Sequence, residues 1–359
     1  MIKDTLLSLG ERLITDTILY SRYGKQPDFG DDCSIIPITK SKCLVATIDP
    51  CPYPMSWILG YKDYYYFGWL LATINLSDIA AMGAKPVGLL TSYILPNETT
   101  VQEFSRLLDG VDEACRQAGT KVIGGNIKES KTLSCEAVAL GYCAPNRLIR
   151  RKGASVEDLV VVVGDMGLFW SGVLKCKHKI QLSNEENNKV MSNILTPRAK
   201  IREGQIISKY KLLSSGMDNS DGLYPSVKEL AVRNSVDIHL DFSEIKWDTA
   251  TLKVSEFMKI DPLRLAIGWG EWQLIGTLPE EKYDQLVNKM SKINTPVHII
   301  GKVAPGSGSV KLLYEQEFGE MSPIDSERFS KKSWFIQGID TYISDLLNTP
   351  LIISPLNNR

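Results

Sequence analysis

Histidine is nearly missing from this 359-residue chain. Only His178, His239 and His298 occur, and none stands at ligand spacing from another or from a cysteine, so a zinc site is not expected. Charge of one sign is missing too: 41 Lys and Arg oppose 42 Asp and Glu, for a formal net charge of -1. That balance gives no electrostatic case for nucleic acid or an anionic membrane, and any anionic ligand needs a local site. No apolar run approaches the roughly 18 residues of a membrane span. The start, Met-Ile-Lys-Asp, lacks the basic-then-apolar layout of a signal peptide. Cys33, Cys43, Cys51, Cys115, Cys135, Cys143 and Cys176 include no C-x-x-C pair and are odd in number. Reduced thiols in a cytoplasmic protein are expected. Walker A, the dinucleotide fingerprint and the G-x-S-x-G elbow are all absent.

What is present reads as an ordinary globular chain, 43% hydrophobic and 23% charged. Its length suggests two domains at about 150 residues each. Residues 5–20 carry Leu6, Leu9, Leu13, Ile14 and Ile18 at helical spacing. Cys43 to Asp49 reads as a buried strand ending in a carboxylate, and Gly68 to Met82 as an apolar helix capped by Gly83. A strand to Leu95, a helix over 99–118, a short strand running into Gly124-Gly125-Asn126 and a strand over 134–142 follow. The pattern restarts near Arg150, with Leu159 to Val163 a fully buried strand. Further on come a helix over 164–175, a polar Asn-rich stretch at 181–193, helices after Pro197 and Asp221, and strands over 236–241, 272–277 and 297–303. The expected domains are 1–150 and 151–340, with 341–359 a tail. Strands mixed with helices in both halves indicate α/β or α+β domains.

Carboxylates stand where the chain turns: Asp32, Asp49, Asp78, Asp218 and Asp221. Hard cations such as Mg²⁺ take carboxylate oxygens together with substrate phosphates. The plainer reading makes each a turn former or helix cap. Asn75 and Asp78 share one face of the apolar helix, where a carboxylate needs a partner or an ion. Gly124-Gly125 lets backbone amides approach a phosphate, or is an ordinary tight turn. Gly164-x-x-Gly167 has the strand–turn–helix setting of an anion site. Tyr64-Tyr65-Tyr66-Phe67-Gly68-Trp69 is either core or a platform for a planar ring.

In order, GERLI (10–14), GDDCSIIP (30–37), TID (47–49), NLSDIAAMGAKP (75–86), VIGGN (122–126), RRKGA (150–154), VVVGDMGLFWSGVL (161–174), DNSDGL (218–223), GEWQLIGTLP (270–279) and IGKVAPG (300–306) resemble thiamine-monophosphate kinase. That family belongs to the aminoimidazole-ribonucleotide-synthetase (PurM-like) ATP-binding superfamily. The resemblance implies two α/β domains, a homodimer paired through its N-terminal sheets, and ATP with several Mg²⁺ ions in a cleft. Carried over, Asp32, Asp49, Asp78, Asp218 and Asp221 would ligate Mg²⁺, with Thr47 adding an oxygen. Ser220, Arg151, Gly124 and Gly125 would contact ATP. Glu271 and Trp272 fall at the substrate end.

Three departures accompany it. The family's GGD is Gly124-Gly125-Asn126 here, so an amide stands at a metal position. Its GED-Y-E-L reads Gly270-Glu271-Trp272-Gln273-Leu274. No histidine follows Asp49 in PCPYPMSW. Metal positions are kept while substrate positions change, so the expected function is an ATP- and Mg²⁺-dependent phosphotransferase with an altered small-molecule acceptor. An ATP-dependent amide- or carbonyl-activating enzyme and a non-catalytic nucleotide-binding homologue are the alternatives.

Overall fold

The structure, a computed structural model, describes residues 5–24, 30–324, 328–330 and 333–353. The Met-Ile-Lys-Asp start and the last six residues of the tail lie outside them. A first sheet holds β1 (Ser34–Thr39), β2 (Lys42–Pro50), β3 (Lys85–Pro96), β4 (Val122–Ser130) and β5 (Ser134–Cys143), ordered β1-β2-β5-β3-β4. Its ladders are antiparallel except β3 with β4. Helices α1 (Tyr64–Ala81) and α2 (Val101–Gln117) belong to this half.

Helix α1 starts where the Asp63 side chain accepts the Tyr65 amide, and it ends at Gly83 in the left-handed region, φ +65°. It is buried nearly all round, as a helix apolar on every side must be. Helix α2 clasps it. At Gly110 of α2 a Cβ would stand 2.0 Å from the Tyr65 carbonyl oxygen, so only glycine permits that crossing.

The second sheet comprises β6 (Leu159–Val163), β7 (Ser215–Asp218), β8 (Val236–Asp241), β9 (Leu274–Leu278), β10 (Val297–Pro305), β11 (Val310–Tyr314) and β12 (Glu317–Glu320), ordered β12-β11-β8-β10-β6-β9-β7. Around it lie α3 (Leu168–His178), α4 (Asn184–Leu195), α5 (Ile201–Tyr210), α6 (Leu223–Asn234), α7 (Thr249–Met258) and α8 (Ile339–Asn348). Strand β6 is buried on both faces, which is why it reads as an unbroken apolar run. Val160 and Val162 enter one core with Trp170 and Ile238. Leu159, Val161 and Val163 enter the other with Leu71, Ile79 and Ile207. Helix α1 is thereby held between the two sheets.

Four expectations change. Gly124-Gly125-Asn126 lies inside β4 instead of in a turn, because Gly125 nests against Thr91, where a Cβ would stand 2.2 Å from the carbonyl oxygen. The Asn-rich stretch is α4, started by a Ser183–Glu186 capping box. Between the expected strands 236–241 and 272–277, where the sequence pattern shows no regular element, lies α7 on the Asp248 cap. The N-terminal segment is helical from Glu11 to Tyr23, yet Leu6, Leu13 and Ile18 of its apolar stripe are exposed. No helix among the described residues is long and apolar enough to cross a membrane. All seven cysteines are unpaired.

Candidate active site

Three chain segments converge on α1. Strand β2 alternates so that Cys43 and Val45 bury themselves, and Thr47 and Asp49 follow on the same face. Asn75 fixes the strand end: its side-chain oxygen accepts the Asp49 amide at 3.0 Å, and its nitrogen donates to the Asp49 carbonyl at 3.3 Å. One turn on, Asp78 accepts from the Thr47 hydroxyl at 2.5 Å. At the end of β7, Asp218 accepts from Ser77 at 2.7 Å and from Ser220 at 3.1 Å. Asp32, just before β1, accepts from the Arg151 guanidinium at 2.6 Å.

Carboxylate oxygens of Asp32, Asp78 and Asp218 all lie within 4.8 Å of one another. Crowding and burial act in the same direction. Burial, then the charges of Asp218, Asp49 and Asp32, push the Asp78 carboxyl well above the usual range. Burial, then Asp32, lifts Asp218 to about 7. Burial raises Asp32 despite Arg151, and raises Asp49. One Asp32 oxygen is buried with no hydrogen-bond partner. Such a site favours protons or a cation.

Beside the cluster opens a cavity of about 150 Å³. Asp49, Asp78, Asp218, Ser220 and Asp221 line one part, and Phe169, Trp269, Trp272, Trp334 and Phe335 another. The rings form a continuous wall: Trp269 stacks on Trp334 with centroids 5.0 Å apart, and Phe169 meets Trp272 edge-on at 6.3 Å. Arg328 also lines it, 5.2 Å from the Phe335 ring centroid.

The segment Gly268 to Gln273 explains how one sequence faces two ways. Gly270, at φ +95°, and Trp272, at φ +43°, kink the chain. Trp272 reaches the cavity, while Glu271 turns away and accepts the Gly167 and Phe169 amides at 2.9 and 3.1 Å. Glu271 therefore occupies the anion position that Gly164-x-x-Gly167 offers at the start of α3. Burial lifts its carboxyl to about 7.

Gly124, Gly125 and Asn126 are not brought to the cluster. Register across the sheet aligns Asp49 with Ala137, Thr91 and Gly125, so Asn126, the next residue, points to the opposite face. Its side-chain oxygen accepts the adjacent Ile127 amide at 2.9 Å. The Tyr64–Trp69 rings pack against Trp57 and one another and line none of the cavity, so their packing role prevails over the platform. Sequence reasoning missed the Trp269–Trp334–Phe335 wall, whose residues share no local spacing. It also missed Ser77, a polar residue beside Asp78 on a largely apolar helix.

Two family models match: AIR synthase related protein, N-terminal domain, over residues 30–143, and AIR synthase related protein, C-terminal domain, over 155–312. A thiamine-monophosphate kinase from Pyrococcus horikoshii is 30% identical over 284 residues, covering 78% of this chain and 84% of the relative. The solved structure "AaThiL complexed with AMPPCP and TMP" superposes with a TM-score of 0.78 at 25% identity, covering 91% of this chain and all of that one. A thiamine-monophosphate kinase structure from Aquifex aeolicus gives 0.73 at 25% identity, over 89% and 100%. The chain belongs to the AIR synthase related family, in its thiamine-monophosphate kinase-like branch.

Proposed function

We propose that this protein is an ATP- and Mg²⁺-dependent kinase whose acceptor differs from thiamine monophosphate. The observation that carries the reading is the convergence of three carboxylates, Asp218 buried and Asp32 and Asp78 on half-buried residues, beside an aromatic cavity. A thiamine-monophosphate kinase relative at 30% identity, and a neighbour complexed with AMPPCP and TMP, support the kinase activity but not the change of acceptor.

The residues fit a divalent cation: hard oxygen donors, mutually repelling, with one buried oxygen unpartnered. Asp32, Asp78 and Asp218 would hold it, with Asp49, Asp221 and Thr47 as further donors. When bound, Mg²⁺ neutralises charge on the transferring phosphoryl oxygens. The chain's own groups do the positioning. Ser220 and Arg151 meet the nucleotide, and the ring wall receives a planar acceptor and excludes water. In direct transfer the acceptor oxygen attacks the γ-phosphorus and ADP departs, which asks little covalent chemistry of the protein.

A homodimer accounts for the remaining residues. Register puts Ile36, Ile48 and Leu90 on the sheet face away from α1, and they are 45%, 59% and 39% exposed. A second copy there covers an apolar face and brings Gly124 and Asn126 to the interface. The unpaired cysteines support a cytoplasmic setting.

The altered acceptor rests on Trp272. An indole fills a cavity position where the family pattern has an acid, and its neighbour Glu271 is committed to α3. Incubation with ATP, Mg²⁺ and thiamine monophosphate, followed by phosphorus NMR, tests this. ATP binding without phosphorylation of thiamine monophosphate is expected. Turnover at roughly 1–100 per second, ordinary for kinases, would make thiamine monophosphate the acceptor. The ring wall beside carboxylates, suited to a cationic ring, favours that second reading.

A further inference from the structure

We infer that Arg151 is the resident counter-ion of the carboxylate cluster, and that it must release Asp32 before a divalent cation can bind. This rests on the metal-dependent nucleotide site proposed above. Arg151 donates to Asp32 at 2.6 Å, with the two side chains 21% and 2% exposed. Neither Asp78 nor Asp218 has an ion-pair partner among the described residues; hydroxyls of Thr47, Ser77 and Ser220 serve them instead. Among the described residues, the guanidinium is thus the positive charge that an ion pair brings to the cluster.

The pair is built to exchange. The Arg151 backbone is fixed: its amide donates to Asp31 at 3.0 Å and its carbonyl accepts from Asn234 at 2.8 Å. The side chain is held less completely. Its Nε is buried without a partner, and Glu229 is 3.5 Å from another guanidinium nitrogen. Asp32 likewise keeps one buried oxygen unpartnered. Both partners retain unused hydrogen-bonding capacity, a costly condition in a buried pair.

Coupling between ligands follows. A cation arriving alone faces a guanidinium a few ångströms away and must displace it toward Glu229 alone, to which it is already paired at 3.5 Å. A phosphate chain arriving with it gives the freed guanidinium a partner, in the forked geometry arginine favours. Arg151 is therefore a positioning residue that makes metal and nucleotide bind cooperatively, each raising the other's affinity by the same factor.

The test is calorimetric titration of Mg²⁺ into the full chain, alone and with a saturating non-hydrolysable ATP analogue. In the wild type the analogue should raise Mg²⁺ affinity by about a hundredfold or more. Arg151→Met should bind Mg²⁺ alone about tenfold tighter than wild type, and the analogue should raise its Mg²⁺ affinity about tenfold less than it raises that of the wild type. A second comparison does not need that variant to fold. In EDTA, Asp32→Asn should bind the analogue about tenfold tighter than Asp78→Asn does. Both remove one negative charge, but only the first frees Arg151. Wild-type Mg²⁺ affinity in Arg151→Met, or equal analogue binding by the two Asn variants, overturns the exchange while leaving the metal site standing. No Mg²⁺ binding by the wild type, even with the analogue, overturns both.

Discussion

Replacing Asp78 by Asn is expected to lower kcat/KM by roughly 10²–10³-fold, the scale of losing one preorganised electrostatic group, and to leave the fold intact. Asn preserves the shape and can still accept from Thr47, whose hydroxyl lies 2.5 Å from Asp78. What disappears is one of the three charges that would draw a cation to the cluster. Burial and three neighbouring carboxylates work against the ionised form of Asp78, so its removal relieves the metal-free protein. The thermal midpoint in EDTA should therefore stay level or rise while activity collapses. Activity near wild type combined with a large loss of midpoint would mark Asp78 as structural only.

The second large effect is on stability against pH. The folded chain holds protons on Asp78 and Asp218 that the unfolded chain has already released, because the folded carboxyls are raised above the ordinary 3.8, Asp218 to about 7. Fewer protons on the unfolded state mean that stability falls as pH rises between about 4 and 7. In EDTA the midpoint should drop by on the order of 5 °C or more from pH 5 to pH 8. Saturating Mg²⁺ should raise it more at pH 8 than at pH 5, since deprotonated carboxylates are the better ligands. Glu271, also raised to about 7 by burial but committed to the α3 amides, should leave a residual slope that Mg²⁺ does not remove. A flat midpoint in EDTA would contradict the crowded-carboxylate geometry.

Legibility in the sequence tracked how local the cause was. The LVVVV strand follows from burial on both faces, and α1 from an apolar run between Asp63 and Gly83. Helix α4 was written in its Ser183–Glu186 box, yet its polar composition hid it, because Val190 and Ile194 alone supply most of its buried apolar face. In the site, Asp32, Asp78 and Asp218 were each suspect as acids at turns or on an apolar helix. Their meeting depends on three elements packing together, which no spacing encodes. The face of Asn126 follows from register across four strands, and Glu271's turn from a kink at Gly270 and Trp272. The aromatic wall joins residues 169, 269, 272, 334 and 335, contacts set only by the folded chain.

Isothermal titration of ATP into the full chain at pH 8, above the range in which the cluster holds its protons, once with Mg²⁺ and once with EDTA, tests the central claim most directly. Three carboxylates within 4.8 Å should repel a triphosphate until a cation intervenes. The account predicts ATP binding with Mg²⁺ and at least about a hundredfold weaker binding in EDTA, a difference of about 3 kcal/mol. Equal affinity in the two titrations would contradict it.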